Sequence, residues 1–325
     1  MKYEFEMLSV NCADATILRF VTDQNHEYVV LIDSGNKSDG QKIIDQINKH
    51  TNKKYIDLAI CTHPDSDHIG GFFNIVGKME IKKFWIHDPS LHVSMTDVKS
   101  SISKAKLTKS LKYVTESIDN SENLLAIIDK LNIPREEPFA GLKHPVLPIQ
   151  IVGPTKEYYE ELLIKFRDIN HLFEQEDYLV KSKEITLLGE SLSDTLDTQN
   201  DSSSENASSA MTLLTVDGNK FLFTADATPE AQIKACNYAD LSKLHFLDVP
   251  HHGSKYNLTS DLVNHYCPVT AYISADGSRK YPSRAVVNAL KKVGTRVYCT
   301  ATAGNIHHSG TIGQRAGYVY PATEL

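Results

Sequence analysis

Residues 61–71 read CTHPDSDHIGG and follow the apolar run YIDLAI of residues 55–60. A short apolar run of this kind reads as a buried strand, so the motif sits at a strand end. It places His63, Asp65, Asp67 and His68 within six positions. In extended chain, residues i and i+2 point to one side, so His63 and Asp65 can grip one cation together. Asp67 and His68 come where the chain turns into a helix and can reach a second cation. Gly70 and Gly71 lack a Cβ, which allows a tight turn and a close approach of the backbone. Two adjacent cations sharing one loop would need this spacing. A polar surface turn, or Asp67 capping the helix, would also produce a His-Asp cluster. Support must therefore come from elsewhere in the chain.

Two other stretches supply it. FLFTADA (221–227) puts Asp226 at the end of an apolar strand, where a carboxylate is costly unless it is paired or bound to a cation. LDVPHHGS (247–254) puts His251 and His252 at the end of another, beside Gly253. Successive strand residues face opposite sides, so one member of that pair is expected to reach the cations, with His252 favoured and His251 the weaker candidate.

Together HPDSDHIGG, TADA and PHHGS resemble the metallo-β-lactamase fold, and most closely the soluble hydrolase domain of the ComEC competence proteins. VNCADATIL (10–18) and LIDSG (31–35) are similar to that family's opening strands, with Asp14 and Asp33 at its acidic positions. The resemblance covers residues 1–90 and 206–320. It implies an α/β fold, a four-layer αβ/βα sandwich with the metal site at one edge. It also implies His63 and Asp65 as ligands of a first ion, Asp67, His68 and His252 as ligands of a second, and Asp226 bridging both. Asp33 would orient ligands. The broader superfamily has a histidine before the strand leading to the bridging aspartate. Here that place reads ENASSAMTLL, so Asn206, Ser208 or Ser209 would serve, or the first site is partly closed. Asp65 stands where the superfamily has histidine and adds oxygen, which makes Mn²⁺ or Mg²⁺ plausible beside Zn²⁺.

The rest of the chain reads as one domain, 1–325. Strands and helices alternate on both sides of residues 91–205, which read as an insertion. Within it, 95–131 has apolar residues at helical spacing. GESLSDTLDTQNDSSSENASS (189–209) is polar enough to read as a mobile or disordered loop. Net charge is −7, from 34 basic and 41 acidic residues, which argues against a wholly basic nucleic-acid binder. A local exception is KSSISKAKLTKSLK (99–112), with Lys99, Lys104, Lys106, Lys109 and Lys112 and no acid; a solvated helix face explains it as well as a phosphate-binding surface does. SRKYPSR (278–284) offers Arg279, Lys280 and Arg284 near a helix start, and Lys255 and Tyr256 follow the histidine pair. His87, His92, His307 and His308 read as structural or surface residues, the last two in a late turn, and Trp85 as core. No apolar run approaches the roughly 20 residues of a spanning helix, so no membrane part is expected. Five scattered cysteines fit free thiols in the cytoplasm.

The chemistry expected is metal-dependent hydrolysis through a hydroxide bridged by two divalent ions, with Asp67, His68 and Asp226 central. The resemblance points to a phosphodiester, hence a nuclease or nucleotide phosphodiesterase acting on nucleic acid or a nucleotide. Other readings are a lactamase- or thioesterase-like hydrolase, and a metal-binding interaction subunit whose 91–205 stretch docks a protein partner.

Overall fold

The computed structural model describes residues 1–94, 109–165, 195–197, 199–278, 280–315 and 323–325. Two sheets dominate a mixed α/β framework. The first runs, in spatial order, through Ile306–His308, Lys2–Met7, Thr16–Val21, Glu27–Ile32, Leu58–Ile60, Phe84–Trp85 and Arg135–Glu136. Its first four strands pair antiparallel and the rest parallel. The second runs through Arg296–Cys299, Thr270–Ile273, Phe246–Asp248, Asn219–Phe223, Met211–Val216 and Ile149–Gly153.

Side-chain alternation explains why the strands read as continuous apolar runs. Val29 and Leu31 face a core with Ile43, Ile44 and Ile47 of the helix Gly40–His50 and with Leu124 and Ile128 of the helix Lys109–Lys130. Val30 and Ile32 face the opposite way, into a core shared with Phe221, Phe223 and Phe246 of the second sheet. Leu222 and Leu247 turn outward again, against the helices Pro229–Tyr238, Ser260–Tyr266 and Arg284–Lys292. Strands covered on both faces need no polar side. Trp85 is buried between the sheets, as expected.

Lys2–Met7 departs from its alternating pattern, because Glu4 and Glu6 are buried as deeply as their apolar neighbours. Glu4 Oε1 accepts from Arg19 Nη1 at 3.1 Å and from Arg315 Nε at 2.9 Å, and Oε2 lies 3.0 Å from His307 Nε2. His307 and His308 therefore belong to an edge strand, and one of them ties the end of the chain to its beginning. Burial pushes the Glu4 carboxyl up, but the hydrogen bonds from His307 and Arg315 outweigh it and hold the group at about 2. With a folded value below the unfolded 4.5, this group stabilises the fold fully above pH 4.5, and the contribution is lost as pH falls toward 2. It amounts to about 3 kcal/mol. Glu4→Gln should lower the melting temperature at pH 7 and flatten its fall between those two pH values in a calorimetric series.

The 91–205 stretch contributes Arg135–Glu136 and Ile149–Gly153, each at an edge of one of the two sheets, besides its helices. The loop expected over 189–209 ends sooner than its composition suggests. Ser204–Ala207 is a helical turn, and residues 204–210 are all buried. Their small side chains pack under the site described below, and packing outweighs polarity there. Residues 189–194 and 198 lie outside the described residues, as do Lys99, Lys104, Lys106 and Arg279. Among the described residues no helix is long and apolar enough to cross a membrane. The five cysteines are unpaired thiols.

A candidate metal centre

The parallel strands Glu27–Ile32 and Leu58–Ile60 end at Asp33 and at the HPDSDHIGG loop. In the second sheet, Asn219–Phe223, Phe246–Asp248 and Thr270–Ile273 end at Asp226, at His251 and His252, and at Ser274. Carboxyl ends of parallel strands are where open α/β sheets gather their functional side chains. The chain turns abruptly there: Asp33, Ala225, His251 and His252 all take left-handed backbone angles, with φ of 54°, 48°, 50° and 56°. Each costs on the order of 1–3 kcal/mol, and such strain concentrates at functional sites.

The loop after Leu58–Ile60 breaks into two short helical turns, Ser66–Ile69 and Phe72–Ile75. Asp67 lies inside the first helix and not at its N-cap, which is Asp65, and Asp65 makes no side-chain capping bond, so the capping explanation of the cluster fails. Gly71 answers for the paired glycines: a Cβ there would lie 2.0 Å from the Ser34 carbonyl oxygen. Gly71→Ala should cost roughly 3 kcal/mol, read as a lower urea midpoint at unchanged slope.

Four residues offer donor atoms that all lie within 4.8 Å of one another: Asp14, His68, Asp226 and His252. His68 Nε2 is 3.3 Å from Asp226 Oδ1 and 3.6 Å from Asp14 Oδ2, and neither His68 Nε2 nor Asp226 Oδ1 has a hydrogen-bond partner. Asp67 Oδ2 lies 3.2 Å from His252 Nε2. His63 Nε2 lies 3.8 Å from Asp65 Oδ2 and is likewise buried and unpartnered. The structure thus brings Asp67, His68, Asp226 and His252 together, with His63 beside them, its ring 4.1 Å from that of His68. Asp14 joins the cluster although the reading of the sequence placed it among acidic positions without giving it a ligand's role. The signal was there, in an aspartate flanked by the small residues Ala13 and Ala15.

Hydrogen bonds fix the tautomer of every histidine at the site. Thr62 Oγ1 donates its one proton to Asp33 Oδ2 at 2.7 Å, so His63 Nδ1–H donates to Thr62 Oγ1 at 3.1 Å. His68 Nδ1–H donates to the same Asp33 Oδ2 at 2.8 Å. His252 Nδ1–H donates to the Ser274 carbonyl at 3.0 Å. In each, Nε2 is the ring atom turned to the cluster, where a cation would take the place of a proton, which is how a histidine is readied for a metal. Asp33 orients two of them, as the resemblance implies.

His251 corrects an expectation. Residues 251–253 form a 3₁₀ turn, not strand, so both histidines turn toward Asp226. His251 Nε2 lies 3.7 Å from Asp226 Oδ2, the oxygen that His68 does not face. Its Nδ1–H donates to Asn257 Oδ1 at 3.1 Å, because the Asn257 amide is spent on Asp201 Oδ2 and the Asp226 carbonyl. Asn206 supports the same network by donating to Asp201. Ser209 Oγ approaches His63 on its Nδ1 side, at 3.4 Å, and Ser208 Oγ is spent on the Glu205 carbonyl. Of the three residues proposed for the absent histidine's place, none meets His63 Nε2 among these contacts.

Electrostatically the pocket holds more negative charge than it can satisfy. Burial and the nearby Asp226 and Asp33 charges push Asp14 up to about 6, against the pull of His252 and His68. Burial and the charges of Asp14, Asp33 and Asp226 also hold Asp248 well above the usual carboxylate range. Glu205, buried and next to the Asp65 charge, rises to about 8, and its Oε1 has no partner. Burial opposes a proton on His68, yet Asp226, Asp67 and Asp33 keep it there well above the ordinary range. A cation would supply the positive charge that this proton now provides. Inward-facing Nε2 atoms, carboxylate oxygens without partners and surplus acid all fit divalent metal.

Lys255 Nζ sits over the Tyr256 ring, 5.3 Å from its centroid, and Lys280 over Tyr281. No curated protein matches the chain. Among solved structures, one match is a “putative metallo-beta-lactamase” from Thermotoga maritima, 12% identical, with a TM-score of 0.30, covering 55% of this chain and 92% of that one. The stretch that carries Asp33, His63, Asp65, Asp67 and His68 lies within residues 15–155, and over those residues the chain matches the family model of the metallo-beta-lactamase superfamily.

Proposed function

We propose that the protein is a metal-dependent phosphodiesterase or nuclease that works with two divalent cations, Zn²⁺ or Mn²⁺, or Mg²⁺. The observation that carries this is the convergence of Asp14, His68, Asp226 and His252 within 4.8 Å, in a buried pocket of surplus negative charge. In this reading His63 and Asp65 hold one ion, Asp67, His68, His252 and Asp14 the other, and Asp226 both. His251 faces the second Asp226 oxygen and adds to the first site. Bound cations would lower the pKa of a water toward neutrality and offset charge developing on the substrate.

The chain's own residues do the remainder. Asp33 and the Ser274 carbonyl keep three imidazoles aimed inward before any substrate arrives. In this reading Asp67, whose side chain is 31% exposed, takes a proton from an attacking water and passes it to solvent. A phosphodiester suits the donor set, since aspartates outnumber what zinc needs and oxygen-rich sites favour harder ions. The likeness of HPDSDHIGG, TADA and PHHGS to the ComEC hydrolase domain supports the same choice. So does the lysine run, of which Lys109 and Lys112 begin the helix Lys109–Lys130. The three successive cores support the four-layer αβ/βα order.

The test is turnover of bis-p-nitrophenyl phosphate, single- and double-stranded DNA, RNA and a cyclic dinucleotide, with Mn²⁺, Zn²⁺ or Mg²⁺ and with metal-free protein. Metal-dependent cleavage of at least one phosphodiester is expected. A chain that binds metal and leaves all of them intact is an interaction subunit instead.

A further inference from the structure

A small cavity of about 20 Å³, room for a water-sized group, opens beside His63, and His87 lines it. His87 is 7% exposed, and neither ring nitrogen has a hydrogen-bond partner. A buried imidazole with two idle nitrogens is unusual, because unmet polar groups cost roughly 1–3 kcal/mol each. The ring is held rigidly: it stacks on Tyr159 at 4.3 Å and packs against Phe139 at 4.8 Å. Thr62, Ser121 and Ser208 also line this cleft. Apolar surface from Ile69 and Ile86 completes it.

Among the described residues no lysine or arginine lines the cleft. Burial, with the His92 charge adding to it, pushes His87 down to about 3, so the ring is neutral at physiological pH. A neutral ring has one N–H donor and one lone pair. Nothing in the cleft would balance an anion. Apolar walls with a few fixed polar groups are the usual make-up of a site for an uncharged group, and the space admits one of about hydroxyl size.

We propose that the cleft between His63 and His87 is a subsite for an uncharged hydrogen-bonding group of the substrate, such as a sugar hydroxyl, which His87 reads with a ring nitrogen. This rests on the hydrolase reading above and deepens it: the charged reacting group goes to the metal centre and its neutral neighbour to the cleft. Ser121 belongs to the helix Lys109–Lys130 and Tyr159 to the helix Lys156–Lys165, so the 91–205 stretch contributes to this subsite.

The experiment records the ring nitrogen signals of the histidines by NMR in the full chain loaded with Zn²⁺. Thymidine and inorganic phosphate serve as separate probes. Thymidine at millimolar concentration should move the His87 signals, and phosphate should leave them in place. His87→Phe, which keeps the ring stack, should weaken thymidine binding about tenfold, and His87→Gln should restore part of it. His87 signals that ignore thymidine, or that follow phosphate equally, overturn the subsite, and this reading needs neither variant to fold. Because the shifts do not depend on turnover, a silent His87 with active bis-p-nitrophenyl phosphate cleavage rejects the subsite alone. A responsive His87 in a protein without turnover rejects the hydrolase reading alone.

Discussion

Asp226→Ala is expected to empty the metal centre and to lower phosphodiester turnover by at least about 10³. Each carboxylate oxygen faces a different imidazole, Oδ1 toward His68 at 3.3 Å and Oδ2 toward His251 at 3.7 Å. In the proposed reading a residue so placed would serve two ions, and its loss would take a ligand from each. Cations contribute several kcal/mol of transition-state stabilisation, and about 4 kcal/mol is a thousandfold in rate. Elemental analysis should fall from two equivalents toward none while the far-ultraviolet circular dichroism stays native. Full metal retention in this variant would remove the bridging assignment, whatever happened to the rate.

The histidine pair gives the second large effect. His252→Ala should abolish hydrolysis, because the ring is fixed by the Ser274 carbonyl and meets Asp67 at 3.2 Å. His251→Ala should also cost about 10- to 100-fold, since its ring is held by Asn257 and faces Asp226. Residues that act as one unit lose activity non-additively, so the double variant should be little worse than His252→Ala. A His251→Ala enzyme with wild-type turnover would return that residue to a purely structural role.

The difference between this pair and its first reading shows what a sequence can carry. Strand ends were legible, because apolar runs stop where polar ones begin, and HPDSDHIGG, TADA and PHHGS each mark such a stop. The core was legible for the same reason. Backbone geometry at the stop was not: one residue in the left-handed region redirects a side chain, and no local pattern announced it at His251 and His252. Asp14 and Glu205 are acids whose importance comes from burial beside distant residues, and burial is decided by tertiary packing. Ser204–Ala207 was hidden by its own polarity, since serine and asparagine read as loop until something packs over them. His87 looked structural because its two idle nitrogens are visible only once its surroundings are known.

The helix Lys109–Lys130 is tied to the centre by Ser117 Oγ, which donates to Asp65 Oδ1 at 2.7 Å, beside Asn120, which reaches the Pro64 carbonyl. Thermodynamic reciprocity gives this bond a meaning beyond support. If an ion held by Asp65 steadies the helix, then whatever steadies the helix raises the affinity for that ion by the same factor. A molecule that steadies that helix would thus be sensed at the metal, and metal loading would in turn set how firmly the molecule is held.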